Sequence, residues 1–129
     1  MGDMVKVAIV GGGRTALPLF EDFLKRPFIE VIGIADRDAS SPGAKLAIEK
    51  GIFFTEHADV LAAKASEIDV IIEVSGDPSV KPALKDAFQA QGNRHTIILQ
   101  DVVARLFISI IQNSQELVES FHPNDHGIG

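Results

Sequence analysis

Val5-Lys6-Val7-Ala8-Ile9-Val10-Gly11-Gly12-Gly13-Arg14-Thr15-Ala16, continued by Leu17-Pro18-Leu19-Phe20-Glu21-Asp22-Phe23-Leu24, decides how the whole chain is read. An apolar run enters a glycine cluster, and the cluster opens a segment of helical character. The order is strand, tight turn, helix. Gly11 lets the chain leave the strand through a turn that residues bearing a Cβ resist. Gly13 leaves the backbone open to close approach, and Ala16 lets the helix lie near the strand. Pro18 falls in the first helical turn, where a missing N–H costs nothing.

Gly11-x-Gly13-x-x-Ala16 fits the G-x-G-x-x-G/A fingerprint of dinucleotide-binding βαβ units. A plain glycine turn has the same pattern, so the context has to decide. In the fingerprint reading, Gly11, Gly12, Gly13, Arg14 and Thr15 hold a pyrophosphate against the free amides at the helix start. The helix dipole adds only about 0.3–1 kcal/mol, and at most ~2. Hydrogen bonds and adenine burial must therefore supply most of the affinity.

Downstream context strengthens that reading. Lys25-Arg26-Pro27 ends the first helix, and Phe28 to Ala35 reads as a buried second strand ending at Asp36. Asp36 lies 23 residues beyond Gly13, near the spacing at which the fingerprint places an acidic residue. There it would accept hydrogen bonds from the adenosine ribose; the alternative is an Asx turn over Asp36-Arg37-Asp38. A 2′-phosphate ~4 Å from this carboxylate would cost about 4 kcal/mol per pair of unit charges at an effective dielectric near 20. That favours NAD over NADP. Arg37 is placed either to neutralise such a phosphate or stack on adenine, or to be a solvated loop arginine.

The rest of the chain alternates in the same manner. Asp38 to Gly43 reads as a loop, Ala44 to Lys50 as a helix, Ile52 to Phe54 as a third strand and Ala58 to Ser66 as a helix. His57, just before that helix, either lines the site or is an exposed loop histidine, and the second reading is preferred. Ile68 to Val74 is an apolar run typical of a strand covered on both faces. Its end, Val74-Ser75-Gly76-Asp77-Pro78, falls where the strand order reverses, so Ser75 and Gly76 should flank the nicotinamide half. Asp77 is expected to cap a helix over Pro78 to Gln91. Glu73 either orients the nicotinamide ribose or bonds to nearby backbone. Thr96 to Leu99 makes a fifth strand. The expected fold is α/β, a doubly wound parallel sheet of order 3-2-1-4-5. Residues 1–100 form a dinucleotide-binding Rossmann domain, and residues 101–129 a C-terminal helix and tail. That helix, capped by Asp101, is expected to run to about Phe121. Its apolar residues surround it almost completely, which points to a second partner surface and a homodimer.

Composition sets limits. The 129 residues fit one domain, and a hydrophobic share of 46% supports a globular core. Twelve Lys and Arg against eighteen Asp and Glu give a net charge of −6, which argues against nucleic acid or an anionic membrane as partner. The absence of cysteine excludes disulfides, thiolate metal sites and cysteine nucleophiles. No apolar run has transmembrane length and Met1-Gly2-Asp3 does not open a signal peptide, so the default location is cytoplasmic. His122 and His126 share i, i+4 spacing in a Pro-containing tail, and no metal site is assigned to them. No catalytic residue is assigned.

Val10-Gly11-Gly12-Gly13, Ile34-Ala35-Asp36-Arg37, Asp59-Val60-Leu61 and Asp69-Val70-Ile71-Ile72-Glu73 together resemble the amino-terminal half of the glucose–fructose oxidoreductase/inositol dehydrogenase family. Ile72-Glu73-Val74-Ser75-Gly76 is also similar to the fourth-strand end of homoserine and aspartate dehydrogenases. The resemblance covers roughly residues 5–100 and implies NAD(P) binding, without naming a substrate. Those enzymes carry a Glu-Lys-Pro segment after the fifth strand and a second, substrate-holding domain. Here that place reads Leu99-Gln100-Asp101-Val102. Asp101-Val102-Val103-Ala104-Arg105-Leu106-Phe107 instead resembles Rossmann-like modules ahead of PAS domains in bacterial sensor histidine kinases. The leading expectation is thus an NAD(H)-binding module with a sensory or regulatory role. The alternatives are an N-terminal fragment or subunit of an NAD(P)-dependent oxidoreductase, or a scaffold without nucleotide.

Overall fold

A computed structural model describes residues 3–121. Five strands form one sheet: β1 (Val5–Val10), β2 (Ile29–Ala35), β3 (Phe54–Thr55), β4 (Val70–Glu73) and β5 (Ile97–Leu99). Their order is β3-β2-β1-β4-β5 and every pairing is parallel. The connecting helices are α1 (Ala16–Phe23), α2 (Pro42–Glu49), α3 (Ala58–Ala63) and α4 (Val80–Ala90), with α5 (Asp101–Ile111) following β5. This is the doubly wound α/β architecture expected from the alternation of apolar strands and amphipathic helices.

β1 lies in the middle and is covered on both faces. Val7 and Ile9 pack with Leu19 and Phe20 of α1 and with Ala104 and Ile108 of α5. Ala8 and Val10 pack with Leu61 of α3 and Leu84 and Phe88 of α4. The unbroken apolar reading of β1 and β4 follows from this double coverage. The pairing of β1 with β2 slips once: Val7 faces Val31 but Ala8 faces Gly33, leaving Ile32 over. The side-chain alternation changes parity there. Val31 and Ile34 share one core face, whereas Ile32 and Ala35 belong to the other.

Several boundaries differ from the sequence reading. α2 begins at Pro42 rather than Ala44, because Ser41 is its N-cap and accepts from the Ala44 amide at 3.3 Å. β3 is Phe54–Thr55, shifted along from Ile52, and α3 stops at Ala63 before a 3₁₀ turn over Ala65–Glu67. α4 starts at Val80: the Asp77 carboxylate accepts from the Ser79 amide (2.9 Å) and hydroxyl (2.7 Å), and this turn delays the helix beyond Pro78. Asp101 is the first residue of α5, not its cap; Gln100 holds the cap position and makes no side-chain cap bond.

The largest correction concerns α5, which ends at Ile111 and does not reach Phe121. Asn113 adopts φ +54°, the Asn113 amide donates to the Ile110 carbonyl (3.1 Å), and the Ser114 amide to that of Ser109 (2.8 Å). This pair of bonds closes a helix on a left-handed residue, with asparagine in the usual place of glycine. The chain then doubles back along α5. Val118 donates to the Ser109 hydroxyl (2.9 Å) and accepts from Arg105 Nε (2.9 Å), and the Ser120 hydroxyl donates to Asp101 Oδ2 (2.9 Å). His122 and His126 lie outside the described residues.

Candidate functional site

The chain crosses the sheet one way after β1 and the other way after β4, so the carboxyl ends of these strands part and leave a crevice. A groove of about 740 Å³ opens there, lined by Gly11 to Thr15, by Asp36 and Arg37, and by Val74, Ser75 and Asp77. Its size suits a cofactor or a small ligand.

The glycine turn has three different steric situations. Gly11 has φ +111°, and a Cβ there would stand 3.0 Å from the backbone of Val74 and Ser75. At Gly12 a Cβ would collide with the Ser41 hydroxyl and lie 3.0 Å from Asp36 Oδ2. At Gly13 a Cβ would meet no protein atom within 4 Å. The first two glycines are therefore demanded by the fold, and the third is not. Beyond them, the Gly13 carbonyl accepts from the Leu17 amide (3.0 Å) and starts α1. Among the described residues, the amides of Gly13, Arg14 and Thr15 donate to no protein acceptor. These are the orphan donors of a helix start, and they can receive an anion.

Asp36 sits at the end of β2. Its Oδ2 accepts from the Gly12 amide at 2.6 Å and its Oδ1 from the Asp38 amide at 2.8 Å. The Asx turn weighed from sequence is thus formed, and the same carboxylate reaches across to the glycine turn. A carboxylate offers about four acceptor sites, so two remain. Arg37 is a solvated loop arginine, one of the two readings weighed for it, and its guanidinium also lies 2.6 Å from Asp77 Oδ2. The Asp77 carboxyl is held below the usual carboxylate range by the Ser79 hydroxyl first, then the Ser79 amide, with Arg37 adding to them. The Arg37 side chain is 82% exposed, and an ion pair so open to water stabilises by at most about 1 kcal/mol.

On the other wall, Ser75 lines the groove while its amide donates to Glu73 Oε1 at 2.9 Å and its hydroxyl bonds to the same oxygen. Glu73 is fully buried and its Oε2 lies 3.6 Å from Lys81 Nζ, itself 2% exposed. The bond to nearby backbone weighed for Glu73 is formed. Gly76 takes φ +77° in the turn and is not among the residues lining the groove.

Sequence reasoning missed the parts played by Gly43 and Phe121. Gly43 donates its amide to the Gly12 carbonyl at 2.7 Å, and a Cβ on Gly43 would stand 2.8 Å from Gly12 Cα. The Ser-Pro-Gly at the start of α2 was the available signal. His57 is an exposed loop residue, as expected, and also lines the groove with Glu56 and Asp59. Phe121 reaches the groove through the returning segment, with the Arg14 guanidinium 3.9 Å from its ring centre. Among the described residues no cluster of His, Cys, Asp and Glu is arranged to hold a metal, and no helix is long and apolar enough to cross a membrane.

No protein-family model matches the chain. Several solved structures share its fold. GenD2 from gentamicin A biosynthesis, in complex with NAD, superposes with a TM-score of 0.58 at 19% identity over 88% of this chain and 32% of its own length. Saccharopine dehydrogenase (L-Glu forming) from Saccharomyces cerevisiae gives 0.58 at 18% identity, over 74% of this chain and 21% of that one. An oxidoreductase from Agrobacterium radiobacter, in complex with NAD+, L-tartaric acid and magnesium, gives 0.55 at 17% identity, over 82% and 31%. The chain spans about a third or less of the length of these three structures.

Proposed function

We propose that this chain is the dinucleotide-binding part of an NAD(P)-dependent oxidoreductase, with NAD favoured over NADP, and that the substrate is held by other polypeptide. The observation that carries this reading is Gly13: the fold tolerates a side chain there, yet the position faces the groove between unused amides. The donor set fits a dinucleotide. Gly13, Arg14 and Thr15 present amides to the pyrophosphate, while Gly11 and Gly12 let the turn form. The two remaining acceptor sites of Asp36 face the adenosine ribose, Arg37 borders the adenine side, and Ser75 flanks the nicotinamide half, while Gly76 only shapes the turn beside it. A bound nicotinamide supplies hydride transfer; this chain binds and orients it. Two of the similar structures carry dehydrogenase or oxidoreductase names, and two hold NAD or NAD+, which supports the oxidoreductase reading over the sensory one.

Gly13→Val tests it. The variant should unfold within about 0.5 kcal/mol of the parent, because no protein atom opposes the new side chain. NADH at ~100 times its dissociation constant should stabilise the parent by about 2.7 kcal/mol and the variant not at all. Equal stabilisation of both overturns the site assignment. No shift with NAD, NADH, NADP or NADPH leaves only the scaffold reading. Asp36→Ala should weaken NAD more than NADP in the same assay, and the reverse order refutes the choice of NAD.

The homodimer belongs to the same proposal. Val102, Leu106 and Ile110 are exposed at i, i+4 and i+8 of α5, with Ile110 68% accessible. That apolar stripe supports a second copy packed on α5. Sedimentation should give a dimer that Ile110→Lys disperses; a monomeric parent refutes it.

A further inference from the structure

Ser75 stands in the wall of the groove, just past the end of β4 and beside the glycine turn. Backbone amides settle the direction of each bond its hydroxyl makes. The Ser75 amide can only donate, and it does so to Glu73 Oε1 at 2.9 Å. That oxygen is therefore an acceptor, and the Ser75 hydroxyl, bonded to the same atom, directs its one proton there. The Asp77 amide, also a donor only, reaches Ser75 Oγ at 3.1 Å and occupies one of its two lone pairs. Among the described residues no other donor reaches this oxygen. One lone pair remains for the groove, and no proton. Glu73 keeps that arrangement fixed. Its side chain is fully buried, and its other oxygen lies 3.6 Å from the buried Lys81 ammonium. Turning the serine proton toward the groove would strip a hydrogen bond from a carboxylate that water cannot reach, which is costly.

We propose that Ser75 is a specificity-determining residue: it offers the groove an acceptor and no donor, and so selects a ligand with an N–H or O–H on its nicotinamide riboside half. The inference rests on the dinucleotide reading of the groove. Two groups of that half carry such a donor, the carboxamide nitrogen and the ribose hydroxyls. A ligand that presents only an acceptor there leaves two acceptors facing each other and is rejected. Glu73 and Lys81 act through Ser75 and touch no ligand; they are positioning residues.

The experiment is a calorimetric titration of the full chain with four ligands. They are NAD, ADP, the 3-acetylpyridine analogue of NAD, whose methyl ketone has no N–H, and an NAD analogue lacking both hydroxyls of the nicotinamide ribose. The parent should bind at least one of the two analogues about three- to tenfold more weakly than NAD, the effect of one hydrogen bond. The analogue that loses affinity identifies the donor. Ser75→Ala should weaken NAD by a similar factor, erase the discrimination against that analogue, and leave ADP, which has no nicotinamide half, unchanged. A merely structural role for Ser75 would weaken ADP and NAD together. In the NMR spectrum of the ligand-free parent, the Ser75 hydroxyl proton should be visible and slow to exchange with water. The inference is overturned if the parent binds both analogues as it binds NAD, if Ser75→Ala keeps the discrimination or weakens ADP equally, or if the hydroxyl proton exchanges as a free one. A parent that binds neither NAD nor ADP removes the dinucleotide reading and this inference with it. A parent that binds both, with no effect of Ser75→Ala, removes this inference alone.

Discussion

The two ends of the sheet are finished to different degrees. At the β2 end, the glycine turn, Asp36 and the start of α2 lock together through the Gly12 amide, the Gly12 carbonyl and the near-contact of two glycines. Both backbone groups of Gly12 are paired there, and Ala35 and Ala44 are covered. At the β5 end, α5 is anchored by Ala104 and Ile108 only on its inner side. Its outer stripe, together with Ile97 on the edge strand, remains exposed. The contrast teaches that this unit ties its glycine turn to α2 with its own backbone but leaves an apolar stripe of α5 uncovered among the described residues.

The comparison is broken most sharply at Ile108. Truncation to alanine removes a buried side chain that joins α5 to the core, and should cost about 2–5 kcal/mol in chemical denaturation. A loss below 1 kcal/mol would mean that α5 is not anchored at all. Next comes Gly43→Ala at the finished end. The added methyl would press on Gly12 Cα and its carbonyl oxygen, at 2.8 and 2.9 Å, so about 1–3 kcal/mol should be lost together with NADH stabilisation. Retained NADH stabilisation would uncouple the turn from α2. Ile110→Ser, on the outer face, should change monomer stability by no more than about 0.5 kcal/mol.

The smallest effect is one of pH. The Asp77 carboxyl at the groove and the Asp69 carboxyl near β5 are both held below their ordinary range, by the Ser79 hydroxyl and the Lys6 amide respectively. A depressed folded-state value stabilises the fold fully above the unfolded value near ~3.9, and that gain disappears as pH falls through the folded value. Unfolding followed from neutral pH down through this window should show a loss that begins below about pH 4. Asp77→Asn and Asp69→Asn should each flatten it, and an unchanged slope in both would discount these pairings.

The sheet order was legible because β1 and β4 are covered on both faces and the turns between elements carry glycine, proline or acidic residues. Asp36 was legible from its spacing and its place at a strand end. The early stop of α5 was not, since Asn113 is an ordinary polar residue until its backbone is seen to take a left-handed conformation. Nor was the part played by Gly43, which depends on a backbone contact between segments about thirty residues apart. Arg37 had been weighed as a phosphate partner or a solvated side chain. Its pairing with Asp77 depends on two loops that only the strand crossing brings together.

Ile32 has a consequence for the length of the segment itself. Because β1 skips this residue, Ile34 returns to the core face of Val31, Ala35 takes that of Ile32, and Asp36 turns toward Gly12. A strictly pleated strand of the same length would turn Asp36 to the reverse side. Deleting Ile32 should instead yield a plain strand that still presents the acid correctly, so the protein carries one spare residue at this point, and chains shorter by one here could keep the same aim.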